Sequence, residues 1–115
     1  MAPDGSEIRL LGQVRGASMV GCTLAAGQTT QAVQHRSVEE VWYCLAGTGE
    51  LWRSDGQHED VVELRSGVAV NIPLGVRFQF RCTSPEPLEL VIATAPPWPE
   101  HEEAVPTAGA WPASR

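Results

Sequence analysis

Residues Gly27 to Gly47 read "GQTTQAVQHRSVEEVWYCLAG", and the spacing inside this stretch decides the fold. Two glycines bracket it, His35 stands near its middle, and Glu40 follows five residues later. From Val41 to Ala46 the residues are apolar, aromatic and β-prone, which predicts a strand, and the glycines mark turns on either side. The same rhythm continues in both directions. Strands are expected at Glu7–Val14, Ser18–Leu24, Gln31–His35, Val41–Ala46, Glu50–Arg53, Asp60–Leu64, Val68–Ile72, Phe78–Cys82 and Leu88–Thr94, separated by turn segments such as "SDGQ" and "SPEP". No segment shows a helical period, so the expected fold class is all-β, a barrel or jelly roll.

The bulk numbers agree with one small globular unit. A chain of 115 residues with 43% hydrophobic and 19% charged residues can bury a single core. No apolar run reaches the roughly 20 residues needed to span a bilayer. The start, "MAPDGSEIRL", has neither a basic nor an apolar region, so a signal peptide is not expected and a cytoplasmic location is. A net charge of −6 without a basic patch argues against nucleic acid and anionic membrane as partners. All eight basic residues are arginines. Without lysine, Schiff-base chemistry has no side-chain amine to use. Cys22, Cys44 and Cys82 show no zinc-like spacing and are expected to be reduced packing thiols.

Composition changes at Pro96. The barrel is expected over 1–95, and 96–115 reads "PPWPEHEEAVPTAGAWPASR", with five prolines and no strand pattern. Trp98 and Trp111 predict that this tail docks on the barrel, because each would bury a large aromatic surface. His58 and His101, in charged loops, are expected to be solvated.

Two spacing patterns carry a resemblance. In the first, Gly27 is followed by five residues, then Val33, Gln34, His35, four residues, Glu40, six residues and Gly47. In the second, Gly67 is followed by five residues, Pro73, Leu74, Gly75, two residues, Phe78, three residues and Cys82, and 19 residues separate the two patterns. These intervals are similar to the two motifs of the cupin superfamily, and the resemblance implies a double-stranded β-helix. It also implies that the family's four metal-ligand positions fall on Val33, His35, Glu40 and Phe78. Only His35 and Glu40 can coordinate an ion, and a tight transition-metal site normally takes three or more protein ligands, so no metal and no other cofactor is expected. "HRSVEEVWY", "IPLGVRFQF" and "PPWP" also resemble a subgroup of small bacterial single-domain cupins with the same phenylalanine.

Period-two alternation then gives an expected pocket lining. With His35, Glu40 and Phe78 inward, Gln31, Val33, Trp42, Cys44, Phe80 and Cys82 join them around a small ligand. An apolar wall should raise the pKa of Glu40 and a neighbouring His35 should counter it, the arrangement of an acid/base pair. The expected function is metal-independent proton transfer, as in cyclisation, dehydration or isomerisation, on a small apolar or aromatic metabolite. Similar small cupins occur as polyketide-cyclase-like proteins, which implies bacterial specialised metabolism. Two alternatives stand beside it: a non-catalytic binding or sensing cupin, and a metal enzyme in which Gln31 or a cysteine replaces the missing ligands. A small barrel leaves edge strands to cover, so a homodimer is expected.

Overall fold

The computed structural model describes residues 5–99 and 103–114. Its strands are β1 (Glu7–Gln13), β2 (Ser18–Leu24), β3 (Val33–His35), β4 (Glu39–Ala46), β5 (Thr48–Ser54), β6 (Glu59–Arg65), β7 (Ala69–Ile72), β8 (Arg77–Cys82), β9 (Leu88–Ala95) and β10 (Ala104–Pro106). They form two antiparallel five-stranded sheets, ordered β1-β2-β9-β4-β7 and β10-β3-β8-β5-β6. Because consecutive strands cross between sheets, the sheets face each other as a jelly-roll barrel.

Alternation builds the core. Trp42 and Cys44 of β4, Leu88, Leu90 and Ile92 of β9, and Phe78 and Phe80 of β8 are all buried in one cluster. The glycines of the motifs close the turns. Gly47 has φ +79°, and a Cβ there would run into the Pro87 carbonyl, so only glycine fits between β4 and β5.

Most strand bounds shift by one or two residues from expectation, and two departures have a physical reason. β3 begins at Val33, not Gln31, because Ala32 and Val33 are both buried and the strict alternation fails there. Gln31 therefore faces solvent. The tail contributes a strand: β10 pairs antiparallel with β3, with Ala104 opposite His35 and Pro106 opposite Val33. Proline is tolerated because β10 is an edge strand and gives up no central ladder bond. A segment of three paired residues is too short to show periodicity.

The segment around Ala110 and Trp111 covers part of the outer face of the second sheet. Gln79 points away from the core yet is only 1% exposed, because the tail lies over it. Its Nε2 donates to the carbonyls of Thr30 and Trp111, and its Oε1 accepts from the amides of Ala110 and Trp111. The Trp111 ring lies 4.0 Å from the Arg81 guanidinium, a cation–π contact. His58 is exposed, at 86% of its side chain. His101 lies outside the described residues.

Candidate functional site

β3 and β4 carry the two ionisable groups, and three residues, Arg36 to Val38, separate the strands. Glu40 points inward with Trp42 and Cys44. Trp42 Nε1 donates to its Oε1 at 3.0 Å, and Thr94 Oγ1, from β9, donates to its Oε2 at 2.9 Å. An indole N–H can only donate, so Oε1 is fixed as an acceptor.

His35 sits against aromatic edges. Its ring centroid lies 5.0 Å from that of Phe78 and 5.3 Å from that of Trp98. Burial lowers its pKa from 6.5 to about 4, and the negative charge of Glu103 offsets this only in part. The imidazole is neutral at neutral pH. Its Nδ1 is buried and has no hydrogen-bond partner among the described residues.

Glu103 was not visible as a site residue in the sequence. Its carboxylate accepts from the amide of Ser37 at 2.6 Å, the hydroxyl of Ser37 at 2.7 Å and the amide of Val38 at 3.0 Å. Its carbonyl accepts from the Arg36 amide at 3.0 Å. Burial works against its ionisation, but the Ser37 and Val38 donors and the charge of His35 hold the carboxyl below its ordinary range. A charge that bears on His35 comes from Glu103, in the tail.

Between the sheets lies a cavity of about 400 Å³. Of the residues expected to line it, Val33, His35, Glu40, Trp42, Phe78 and Phe80 do so. Gln31, Cys44 and Cys82 do not. The cysteines point inward, as alternation requires, but each lies two residues beyond Trp42 or Phe80, whose rings meet at 4.9 Å and close the cavity floor. There Cys44 Sγ donates to the Ala46 carbonyl and Cys82 Sγ to the Glu86 carbonyl. Burial pushes the Cys44 thiol up despite its contact with Ala46.

Further lining comes from strands outside the two motifs, in the same sheet as β4: Ile8 and Leu10 of β1, Val20 and Cys22 of β2, Ile92 and Thr94 of β9. Alternation in β9 would have revealed Thr94, since Leu88, Leu90, Ile92 and Thr94 all face inward. Trp98, 39% exposed, stands at the cavity from the tail. Its only sequence signal was an aromatic in a proline-rich run.

The donor set does not suit the metal that the fold implies. Val33 and Phe78 occupy two of the four ligand positions with carbon alone. Among the described residues no group of three or more His, Cys, Asp or Glu side chains could hold an ion. Of the substitute ligands, Gln31, Cys44 and Cys82 do not line the cavity, and Cys22 does.

Known structures share the architecture. The Bacillus halodurans protein BH2720 superposes with TM-score 0.74 at 22% identity, covering 86% of this chain and 76% of its own. A conserved protein with a double-stranded β-helix domain from Klebsiella pneumoniae subsp. pneumoniae MGH 78578 gives 0.73 at 18% identity, covering 94% and 90%. A Bacillus subtilis oxalate decarboxylase variant gives 0.70 at 17% identity, covering 83% of this chain and 26% of its own. At these identities the likeness concerns the fold alone. Comparison with curated protein sequences finds no match. The cupin domain family matches residues 21–94, well over half of the sequence, and the chain belongs to that family.

Proposed function

We propose that the cavity binds a small apolar or aromatic metabolite and that Glu40, with His35, moves a proton on it without a metal ion. Cyclisation, dehydration and isomerisation all fit such a site, and a tailoring step in bacterial specialised metabolism, such as polyketide cyclisation, is the setting we favour. One observation carries the reading: a buried carboxylate, with a donor on each oxygen, faces an aromatic cavity beside a neutral imidazole. Glu40 takes the role of base. A neutral imidazole can donate its N–H to an oxygen that gains charge, so His35 takes the role of polarising group.

Solvent exchange tests this without knowledge of the product. Candidate polyketide or aromatic ketone substrates are incubated with the protein in deuterated water, and C–H exchange beside the carbonyl is followed by NMR. Glu40→Gln keeps shape and hydrogen-bonding reach but cannot cycle a proton, so exchange should slow by about 100- to 10,000-fold. Near-normal exchange in Glu40→Gln would remove the acid/base mechanism. Near-stoichiometric transition metal that survives dialysis and is lost in His35→Ala would overturn the metal-free part.

A second reading is a binding or sensing cupin. The low basicity of His35 favours it, because an imidazole with pKa about 4 is a weak base at neutral pH. In that case both substitutions would appear only in affinity.

A further inference from the structure

We infer that the cavity holds an extended ligand: a ring lodged where Trp42, Phe78 and Phe80 meet, and an aliphatic chain that runs over Ile92, Val20 and Leu10 and leaves the barrel between the edge strands β1 and β10. This rests on the binding part of the function proposed above and not on its chemistry.

Cross-strand register lays out the route. On the first sheet Trp42 stands opposite Ile92, Ile92 opposite Val20, and Val20 opposite Leu10, so one apolar row crosses from β4 to the edge at β1. All four line the cavity. With strands about 4.8 Å apart, the row is about 14 Å long, more than a single ring covers. Beside it Gln13, Ser18, Thr94 and Glu40 form a second row that is polar throughout. A bulge in β1, where the register shifts between Leu10 and Gly12, brings Gln13 into that row. The route therefore has one apolar and one polar flank on this sheet, and oxygen substituents of the ligand belong on the polar side.

Exposure along the apolar row shows where the route opens. Trp42 and Ile92 are buried and Val20 is half-buried, but Leu10 is 66% exposed and Ile8, on the same side of β1, is 40% exposed. Both β1 residues line the cavity, so that side of the cavity is open to water. Residues 66–68 alone join β6 to β7, which closes those edges of the two sheets on each other. The edges left without such a link are β1 and β10. Among the described residues β10 gives the cavity only Ala104, and Leu10 stays uncovered.

The lining changes along the way. At the inner end Trp42 of the first sheet meets Phe78 and Phe80 of the second edge-on, with ring centroids 5.5 and 4.9 Å apart. A further ring packs well against such edges and faces. From Ile92 outward the apolar row offers only branched aliphatic side chains, which a flexible chain covers by removing them from water. The open surface at Leu10 and Ile8 is what such a chain would bury on its way out.

Two probes that differ only in chain length test this: 4-ethylphenol and 4-heptylphenol, titrated calorimetrically into the full-length protein. Each methylene removed from water multiplies affinity about fourfold, so the heptyl compound should bind at least about thirtyfold more tightly. Leu10→Ser should cut heptylphenol affinity at least about fivefold and change ethylphenol affinity less than about twofold. Leu11→Ser is the control, since Leu11 is also exposed on β1 but does not line the cavity, and it should alter neither. Ethylphenol binding with no gain for the heptyl chain would overturn the inference and leave the binding reading standing. Equal losses in Leu10→Ser and Leu11→Ser would also overturn it, as the signature of unspecific uptake on the surface. A heptyl gain that is missing while Leu10→Ser abolishes a dimer would assign the open edge to a second copy of the chain and overturn it too. No binding of either probe would remove the binding reading and the inference with it.

Discussion

At the scale of single residues, burial moves His35 well away from its ordinary chemistry. Its pKa is about 4 in the fold and 6.5 as a free side chain, so between these values the unfolded chain binds the extra proton. Stability from this group is therefore complete above pH 6.5 and is lost as pH falls toward 4. A separation of this size corresponds to at most about 3 kcal/mol. Urea denaturation between neutral pH and pH 4 should show that slope, and His35→Gln should flatten it. A slope that persists in His35→Gln would assign it to other groups. The sequence made His35 and Glu40 legible because the spacing of the flanking glycines fixed where the strands begin and end. It could not show which charge faces His35, because Glu103 is 68 residues away along the chain. Gln31 faces solvent because alternation breaks at Ala32, whereas Cys44 and Cys82 face inward but lie off the cavity. Alternation tells which side of a sheet a residue faces, and is silent on depth along the barrel.

Among the elements, the tail matters more to the site than its composition suggested. β10 lies along β3, and Glu103 immediately before it clamps the turn that joins the two strands bearing His35 and Glu40. In "PEHEE" the carboxylates look like a solvated run, yet Glu103 is 2% exposed and accepts three hydrogen bonds. Removing it strands the buried amide of Val38 and uncovers the part-buried amide of Ser37, and an unsatisfied buried donor costs about 1–3 kcal/mol. Glu103→Ala should thus lower unfolding free energy by at least about 2 kcal/mol at neutral pH. Glu103→Gln should also push the His35 pKa further down, since the charge that raises it is gone. Histidine ring NMR against pH reads the second effect, which a purely structural loss would not produce. An unchanged titration would show that the clamp holds the turn without touching the chemistry.

Across the whole molecule, the two sheets are finished differently. Part of the outer face of the second sheet is covered by the chain's own tail through Gln79 and Trp111. The outer face of the first has no such cover among the described residues. Because Glu40, Trp42 and Cys44 point inward, Val41, Tyr43 and Leu45 point out, and they are 51%, 47% and 51% exposed. Across the ladder Ala93 lies between Val41 and Met19, which is itself 46% exposed, so the apolar surface continues onto β2. The sequence argument for a homodimer rested only on edge strands; this face supplies an area where a second copy would gain from burial, at about 25 cal/mol per Å² of apolar surface removed from water. A twofold arrangement suits it because the row is neutral, and a self-complementary contact then brings no like charges together. Light scattering at micromolar concentration should give twice the chain mass of 12.4 kDa. Tyr43→Lys, which places a cation on the face without entering the core, should return it to a single chain with the barrel intact by circular dichroism. A monomeric unaltered protein, or a dimer that survives Tyr43→Lys and Val41→Glu together, would show that this face is not the subunit contact.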